Sequence, residues 1–216
     1  MTGTRLEVDH VLLGVADLDD AARRLLDDHG LRTLPGGRHP RWGTANRVVP
    51  LGAAYLELVT VVDPVVAAGS DFGRWITAML DGSAPAWGWV VRSPDLDAHA
   101  ARLGLVVETG SRARPDGSTV SWRLAGVADA ARDPQLPFLI AWDPGVALPG
   151  TAAVQHPAGR VRLERLEVAG DPDRVLARAG GPVERVQVEV GGAPGVRRLL
   201  LGTDAGPLAL PYSELE

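Results

Sequence analysis

Three times along the chain, an apolar run of strand length breaks on an Asp-x-Asp triplet. Each triplet leads into a stretch with helical spacing that stops at glycine. The first phrase runs Val11-Leu12-Leu13-Gly14-Val15, Asp17-Leu18-Asp19, Ala21 to His29, then Gly30 and Leu31. The second runs Trp89-Val90-Val91, Asp95-Leu96-Asp97, Ala98 to Leu103, then Gly104 and Leu105-Val106-Val107. The third runs Leu163 to Val168, Asp171-Pro172-Asp173, Arg174 to Ala179, then Gly180 and Gly181. Each predicts a strand followed by a capped helix. An Asp carboxylate accepts from N–H groups that the first helical turn leaves unbonded. A glycine just past the last turn supplies the left-handed stop. Leu18, Ala21, Ala22 and Leu25 form one apolar stripe at helical spacing. The spacing predicts helices over Leu18–His29 and Leu96–Leu103.

More strands follow each helix: Arg47-Val48-Val49 and Tyr55 to Val62 in the first phrase, Val120 to Leu124 and Phe138 to Trp142 in the second. The unit therefore reads β-α-β-β-β. It divides the chain into a first module over 5–62, a second over 84–143 and a shorter, β-α-β-like third over 158–212. Proline- and glycine-rich stretches join them, notably Pro144 to Pro157. Asp17, Asp95 and Asp171 fall at nearly equal intervals, as tandem duplication gives. The fold class is α+β.

Two polar residues interrupt apolar strands. In Val8-Asp9-His10-Val11-Leu12-Leu13, alternation places His10 with Val8 and Leu12 on one buried face. In Tyr55-Leu56-Glu57-Leu58-Val59, Glu57 shares a face with Tyr55 and Val59. A buried carboxylate without a partner costs several kcal/mol. Two such residues suit a shared divalent metal; a hydrogen-bonded histidine and an arginine-paired glutamate are the plainer readings. Arg38-His39-Pro40-Arg41, flanked by Gly36-Gly37 and Gly43, reads as a basic loop, with Trp42 and Asn46 close by. Such a loop suits a carboxylate, phosphate or enolate oxygen. Of six tryptophans, Trp87 and Trp89 alternate on the second module's first strand and are candidates for the wall of an apolar pocket. Core filling is their alternative role, as it is for Trp122 and Trp142.

Composition narrows the chemistry. There is no cysteine, and all 22 basic residues are arginine. Thiolate chemistry, disulfides, Schiff bases and the phosphate-loop lysine are excluded. A net charge of −5 with scattered arginines speaks against nucleic acid. No apolar run approaches the roughly 18 residues of a membrane span. Met1 to His10 lacks the pattern of a secretion signal. The expectation is a cytoplasmic monomer or homodimer whose partner is a small-molecule substrate or ligand, with no membrane role.

The string Asp9-His10-Val11-Leu12-Leu13-Gly14-Val15-Ala16-Asp17-Leu18-Asp19 resembles the opening of a vicinal-oxygen-chelate module. That superfamily includes glyoxalase I, extradiol dioxygenases, and bleomycin- and fosfomycin-resistance proteins. The stretch Pro35 to Asn46, followed by Tyr55-Leu56-Glu57-Leu58, is similar to its glyoxalase-like subgroup. The resemblance implies tandem modules curled into an open, barrel-like cup around a divalent metal (Fe, Mn, Zn or Ni), or around none. It implies His10 on the first strand and Glu57 on the fourth as metal ligands. It also implies a metal-assisted lyase, isomerase or dioxygenase, with a metal-free sequestering protein as the alternative. The second module departs from the metal pattern. Alignment through Asp17 and Asp95 sets Gly88 opposite His10 and Ile140 or a neighbour opposite Glu57. Further ligands are sought in His39, His156 and Glu164. Arg38, His39 and Arg41 are expected at the open end of the cup, with Arg38, Arg41, Trp42, Asn46, Trp87 and Trp89 contacting substrate.

Overall fold

The computed structural model describes residues 6–113 and 119–211. The first module comprises β1 (Leu6–Gly14), α1 (Leu18–His29), β2 (Leu34–His39), β3 (Thr44–Leu51) and β4 (Ala54–Val61). Two helices, α2 (Pro64–Ala68) and α3 (Asp71–Leu80), lead to the second. That module comprises β5 (Trp87–Arg92), α4 (Leu96–Leu103), β6 (Val107–Ala113), β7 (Thr119–Ala125), α5 (Val127–Arg132) and β8 (Phe138–Trp142). The C-terminal part holds β9 (Arg162–Ala169), α6 (Pro172–Ala179), β10 (Val183–Glu184), β11 (Val186–Glu189), β12 (Gly195–Thr203) and β13 (Gly206–Pro211).

The helix bounds follow from the caps. Asp17 accepts from the N–H groups of Asp19 and Asp20, Asp95 from Ala98, and Asp171 from Asp173 and Arg174. Gly30, Gly104 and Gly180 stop α1, α4 and α6 with φ of 64°, 66° and 86°, a region that costs a side chain but not glycine.

Among the described residues, nine strands form one curved sheet in the order β10-β1-β4-β3-β2-β6-β7-β8-β5, and an additional β1–β5 pairing brings its ends together. Within each module the first and last strands run parallel, and the remaining neighbours run antiparallel. The modules meet at β2–β6 and, antiparallel, at β1–β5. The result is a nearly closed, barrel-like cup. The C-terminal strands form a separate sheet, β11-β9-β12-β13. There the parallel partner of the first strand is β11, soon after the helix, whereas in the two modules it is the last strand. No helix among the described residues is long and apolar enough to cross a membrane.

The buried apolar side chains fall into two clusters. One, including Leu13, Leu25, Leu56, Trp87, Trp89, Leu166 and Leu199, joins the modules to the C-terminal sheet. The other, including Leu12, Trp42, Phe72, Trp75, Val90, Trp122, Phe138 and Ile140, fills the cup. Helix α3 contributes Phe72, Trp75, Ile76 and Met79 to this second cluster.

Two bulges alter the strand reading. Opposite β5, the register of β1 slips between Val8 and His10, so Asp9 is an extra residue. Val8 therefore packs with Val11 and Leu13 rather than on the face of Leu12, and Asp9 is brought beside the His10 ring. The basic segment expected as a loop is partly sheet: Arg38 and His39 end β2, and Asn46 lies on β3. Its glycines hide the strand pattern. A bulge between Pro35 and Gly37 places Gly36 against the Asn46 amide, where a Cβ would collide with the amide oxygen.

Candidate functional site

The inside of the cup holds a narrow cavity, with about 30 Å³ open to the centre of a water molecule. Neighbouring parallel strands bring His10 and Glu57 to its wall. His10 sits opposite Tyr55 and Glu57 opposite Leu12, so His10, Tyr55 and Glu57 share one face. His10 Nε2 lies 3.3 Å from Glu57 Oε2. The other ring nitrogen, Nδ1, lies 2.8 Å from Asp9 Oδ1. Asp9 Oδ2 in turn accepts from Arg92 Nε at 2.8 Å and Trp142 Nε1 at 2.9 Å. Arg92 also reaches Glu7 and donates to the Ala53 carbonyl. Glu57 Oε1 accepts from Asn46 Nδ2 at 2.5 Å. The Tyr55 ring stacks on His10 with centroids 4.5 Å apart. Each charge in this chain has an opposite neighbour, which is how ions persist at such depth.

The protonation states separate accordingly. Burial disfavours the His10 imidazolium, but hydrogen bonds and charge from Asp9 and Glu57 outweigh it and raise its pKa to about 9. Burial also pushes Glu57 up, yet the His10 hydrogen bond and charge, with His39 and Asn46, leave it below its ordinary value. Asp9 is likewise lowered: His10 and Arg92 overcome its burial. Across the cavity, burial lowers His39 to about 4, aided by the charges of Arg112 and His10 and opposed by Glu57. His39 is thus neutral at pH 7, with Nδ1 2.9 Å from Thr44 Oγ1. Trp42, Phe72, Trp122, Phe138 and Trp142 supply the aromatic wall, and Arg112 the remaining charge.

The family model described as a glyoxalase-like domain matches residues 8–182. The chain belongs to that glyoxalase-like family. It is thereby a small-molecule protein of the vicinal-oxygen-chelate superfamily. A search of curated proteins finds no significant match. Among solved structures, the glyoxalase-like chain is similar in fold to a hypothetical protein from Staphylococcus aureus. Identity is 16% and the TM-score 0.69, over 91% of this chain and 90% of that one. A methylmalonyl-CoA epimerase from Mycobacterium tuberculosis matches more weakly. It is 22% identical with a TM-score of 0.45, over 68% of this chain and 94% of that one.

The expected metal set is incomplete in this glyoxalase-like cup. The 3.3 Å between His10 Nε2 and Glu57 Oε2 suits two neighbouring ligands of one ion, given zinc bonds of about 2.0–2.2 Å. Asp9 behind His10 is the kind of outer partner that orients a ligating imidazole. Beyond this pair the set falls short. Among the described residues, no group of three or more His, Cys, Asp or Glu is placed to hold a metal, whereas catalytic zinc takes about three protein ligands. His156 is not available: its Nδ1 accepts from Arg32 N–H and its Nε2 donates to the Pro50 carbonyl, each at 3.0 Å. Glu164 is exposed on the other sheet and paired with Arg162. On the second module's side, Ile140 meets the cavity and Gly88 lies under Trp75, so that wall supplies no donor. The described residues do not make a resident metal site.

The other expected contacts divide. His39, Trp42 and Asn46 line the cavity. Arg38 and Arg41 are exposed and do not; Arg41 Nη1 reaches the Thr109 carbonyl at 3.4 Å. Trp87 and Trp89 also stand outside it. Strand alternation turns Gly88 and Val90 toward the cup and both tryptophans into the core shared with the C-terminal sheet, where Trp89 Nε1 donates to the Gln135 carbonyl. The aromatic wall comes instead from Trp122 and Trp142, directly opposite each other on β7 and β8. Sequence reasoning did not find Asp9, Arg112, Phe72 or Phe138. Arg112 stands two residues from Gly110 on β6, and that alternation is its one local signal.

Proposed function

We propose that this glyoxalase-like protein transfers a proton on a small carbonyl compound held in the cup, with Glu57 as base and His10 as acid. The observation that carries this reading is the buried His10–Glu57 pair at the cavity wall, whose protonation states are driven apart. The ionised Glu57 carboxylate takes a proton from the carbon next to the carbonyl. The His10 Nε2–H gives its proton to the carbonyl oxygen as that oxygen gains charge. Glu57 ends neutral, His10 ends neutral, and the ligand becomes an enol. Return of a proton to a different carbon or face completes an isomerisation and restores the pair. Asp9 holds Nδ1–H throughout, which fixes the ring and aims Nε2. Such positioned acid–base groups contribute about 10²–10⁴-fold to rate.

Two other readings are separable by experiment. A sequestering protein would bind its ligand without chemistry, and a metal enzyme would need an added ion. Exchange of carbon-bound hydrogen for deuterium, followed by NMR on hydroxyacetone and pyruvate, distinguishes them. Exchange should proceed in chelator-treated protein and fall by about 10² or more in Glu57→Gln. Binding without exchange would support sequestration. Exchange that appears only with added zinc or manganese would support the metal reading.

A further inference from the structure

Arg112 is the one strongly charged group at this cavity that the proton-transfer reading leaves without work. It lies on β6 at the seam where the two modules meet and lines the same cavity as His10 and Glu57. Its residue exposure is 9%, and its Nε has no hydrogen-bond partner among the described residues. A guanidinium at that depth without a counter-charge is costly. The carboxylate that lines the cavity is already committed, since Glu57 is bound to His10 and Asn46. Asp9 is satisfied from behind by Arg92 and Trp142. Among the described residues that line the cavity, Arg112 is thus a cation with no ion-pair partner.

We propose that Arg112 is the seat for the carboxylate of a short monocarboxylic acid, one whose neighbouring carbonyl makes a C–H acidic. The class is that of small 2-oxo acids. Three features select it. One anionic charge matches the one unpaired guanidinium, where a dianion would overshoot. The planar fork of arginine matches a carboxylate through two parallel hydrogen bonds. The narrowness of the cavity favours a short acid over a bulky one. Trp42 and Trp122 line the cavity, packed against His39, and would meet the ligand's apolar carbons.

This proposal rests on the proton-transfer reading for its enolisable carbonyl, but its test is independent of it. Pyruvate, and its uncharged counterpart pyruvamide, are titrated into the full chain and followed by tryptophan fluorescence and calorimetry. Pyruvate should bind at least tenfold tighter than pyruvamide. Arg112→Gln should weaken pyruvate at least tenfold and leave pyruvamide unchanged, while Arg112→Lys should recover part of the loss. Equal affinity for acid and amide in the unaltered protein overturns the proposal, and needs no variant to fold. Pyruvate binding that survives Arg112→Gln overturns it as well. If pyruvate binds through Arg112 but no deuterium exchange occurs, the anion seat stands and the proton-transfer reading fails. If exchange requires Glu57 but is indifferent to Arg112, the reverse holds.

Discussion

The two buried histidines should shape the stability of this protein against pH in opposite directions. His10 has a folded pKa of about 9, against an ordinary value of 6.5. The folded state therefore holds that proton more tightly. Its contribution is complete below pH 6.5 and is lost as pH rises through 9. His39 is the reverse, at about 4 when folded. Its contribution is complete above pH 6.5 and is lost as pH falls toward 4. Each is worth about 3 kcal/mol, at about 1.4 kcal/mol for every tenfold change in proton affinity. Stability should peak near pH 6.5, losing about 3 kcal/mol by pH 9 on one side and a similar amount by pH 4 on the other. The alkaline limb is unusually clean, because the chain has neither lysine nor cysteine to titrate there. On the acid limb, His99 adds in the same direction, since burial lowers it too, and the lowered Asp9 and Glu57 carboxylates add to the loss as pH falls below their ordinary range. Urea unfolding followed by tryptophan fluorescence at half-unit steps reads the curve. His10→Asn should lower stability overall yet flatten the limb from pH 6.5 to 9. His39→Asn should leave that limb and make the acid one shallower. A parent protein equally stable at pH 6.5 and 9, or an alkaline limb that persists in His10→Asn, would refute the reasoning.

Asp9→Asn should draw the His10 midpoint back toward 6.5 and leave Arg92 without its buried partner, a loss of about 3–5 kcal/mol in urea unfolding. Gly88→Ala places a Cβ 2.6 Å from the Trp75 ring and should cost about 1–3 kcal/mol by crowding α3 off the sheet, read by the same assay. Arg112→Met should stabilise the ligand-free protein, because an unpaired buried charge gives way to an apolar chain; thermal unfolding checks the direction.

Much of the fold was legible because its local signals are strong and repeated. The Asp caps and glycine stops give the bounds of α1 and α4 to the residue, and the β-α-β-β-β order follows from them. His10 and Glu57 stood out for a physical reason: each is an ionisable group in an apolar strand, and such groups need partners. What stayed hidden depends on register and pairing. Alternation sends Asp9 to the face opposite His10 until a bulge, invisible in the residue types, turns it back. Trp87 and Trp89 share one face correctly, but the sequence does not say which side of the sheet holds the cup. Leu34 to His39 looks like a loop because Pro35, Gly36 and Gly37 break the strand pattern, although β3 supplies partners for them. Arg112 lies far from the basic cluster at 38–41 in sequence, and only the β2–β6 seam relates the two.

The central claim is that His10 is held as an imidazolium between two carboxylates and poised to give up its Nε2 proton. Nitrogen-15 NMR of the imidazole rings, in chelator-treated protein across pH 5 to 10, tests it most directly. Both His10 nitrogens should carry protons at pH 7.5 and titrate together near 9, with the midpoint falling in Glu57→Gln. A His10 ring that is neutral at pH 7.5, or whose midpoint ignores Glu57, would contradict the claim.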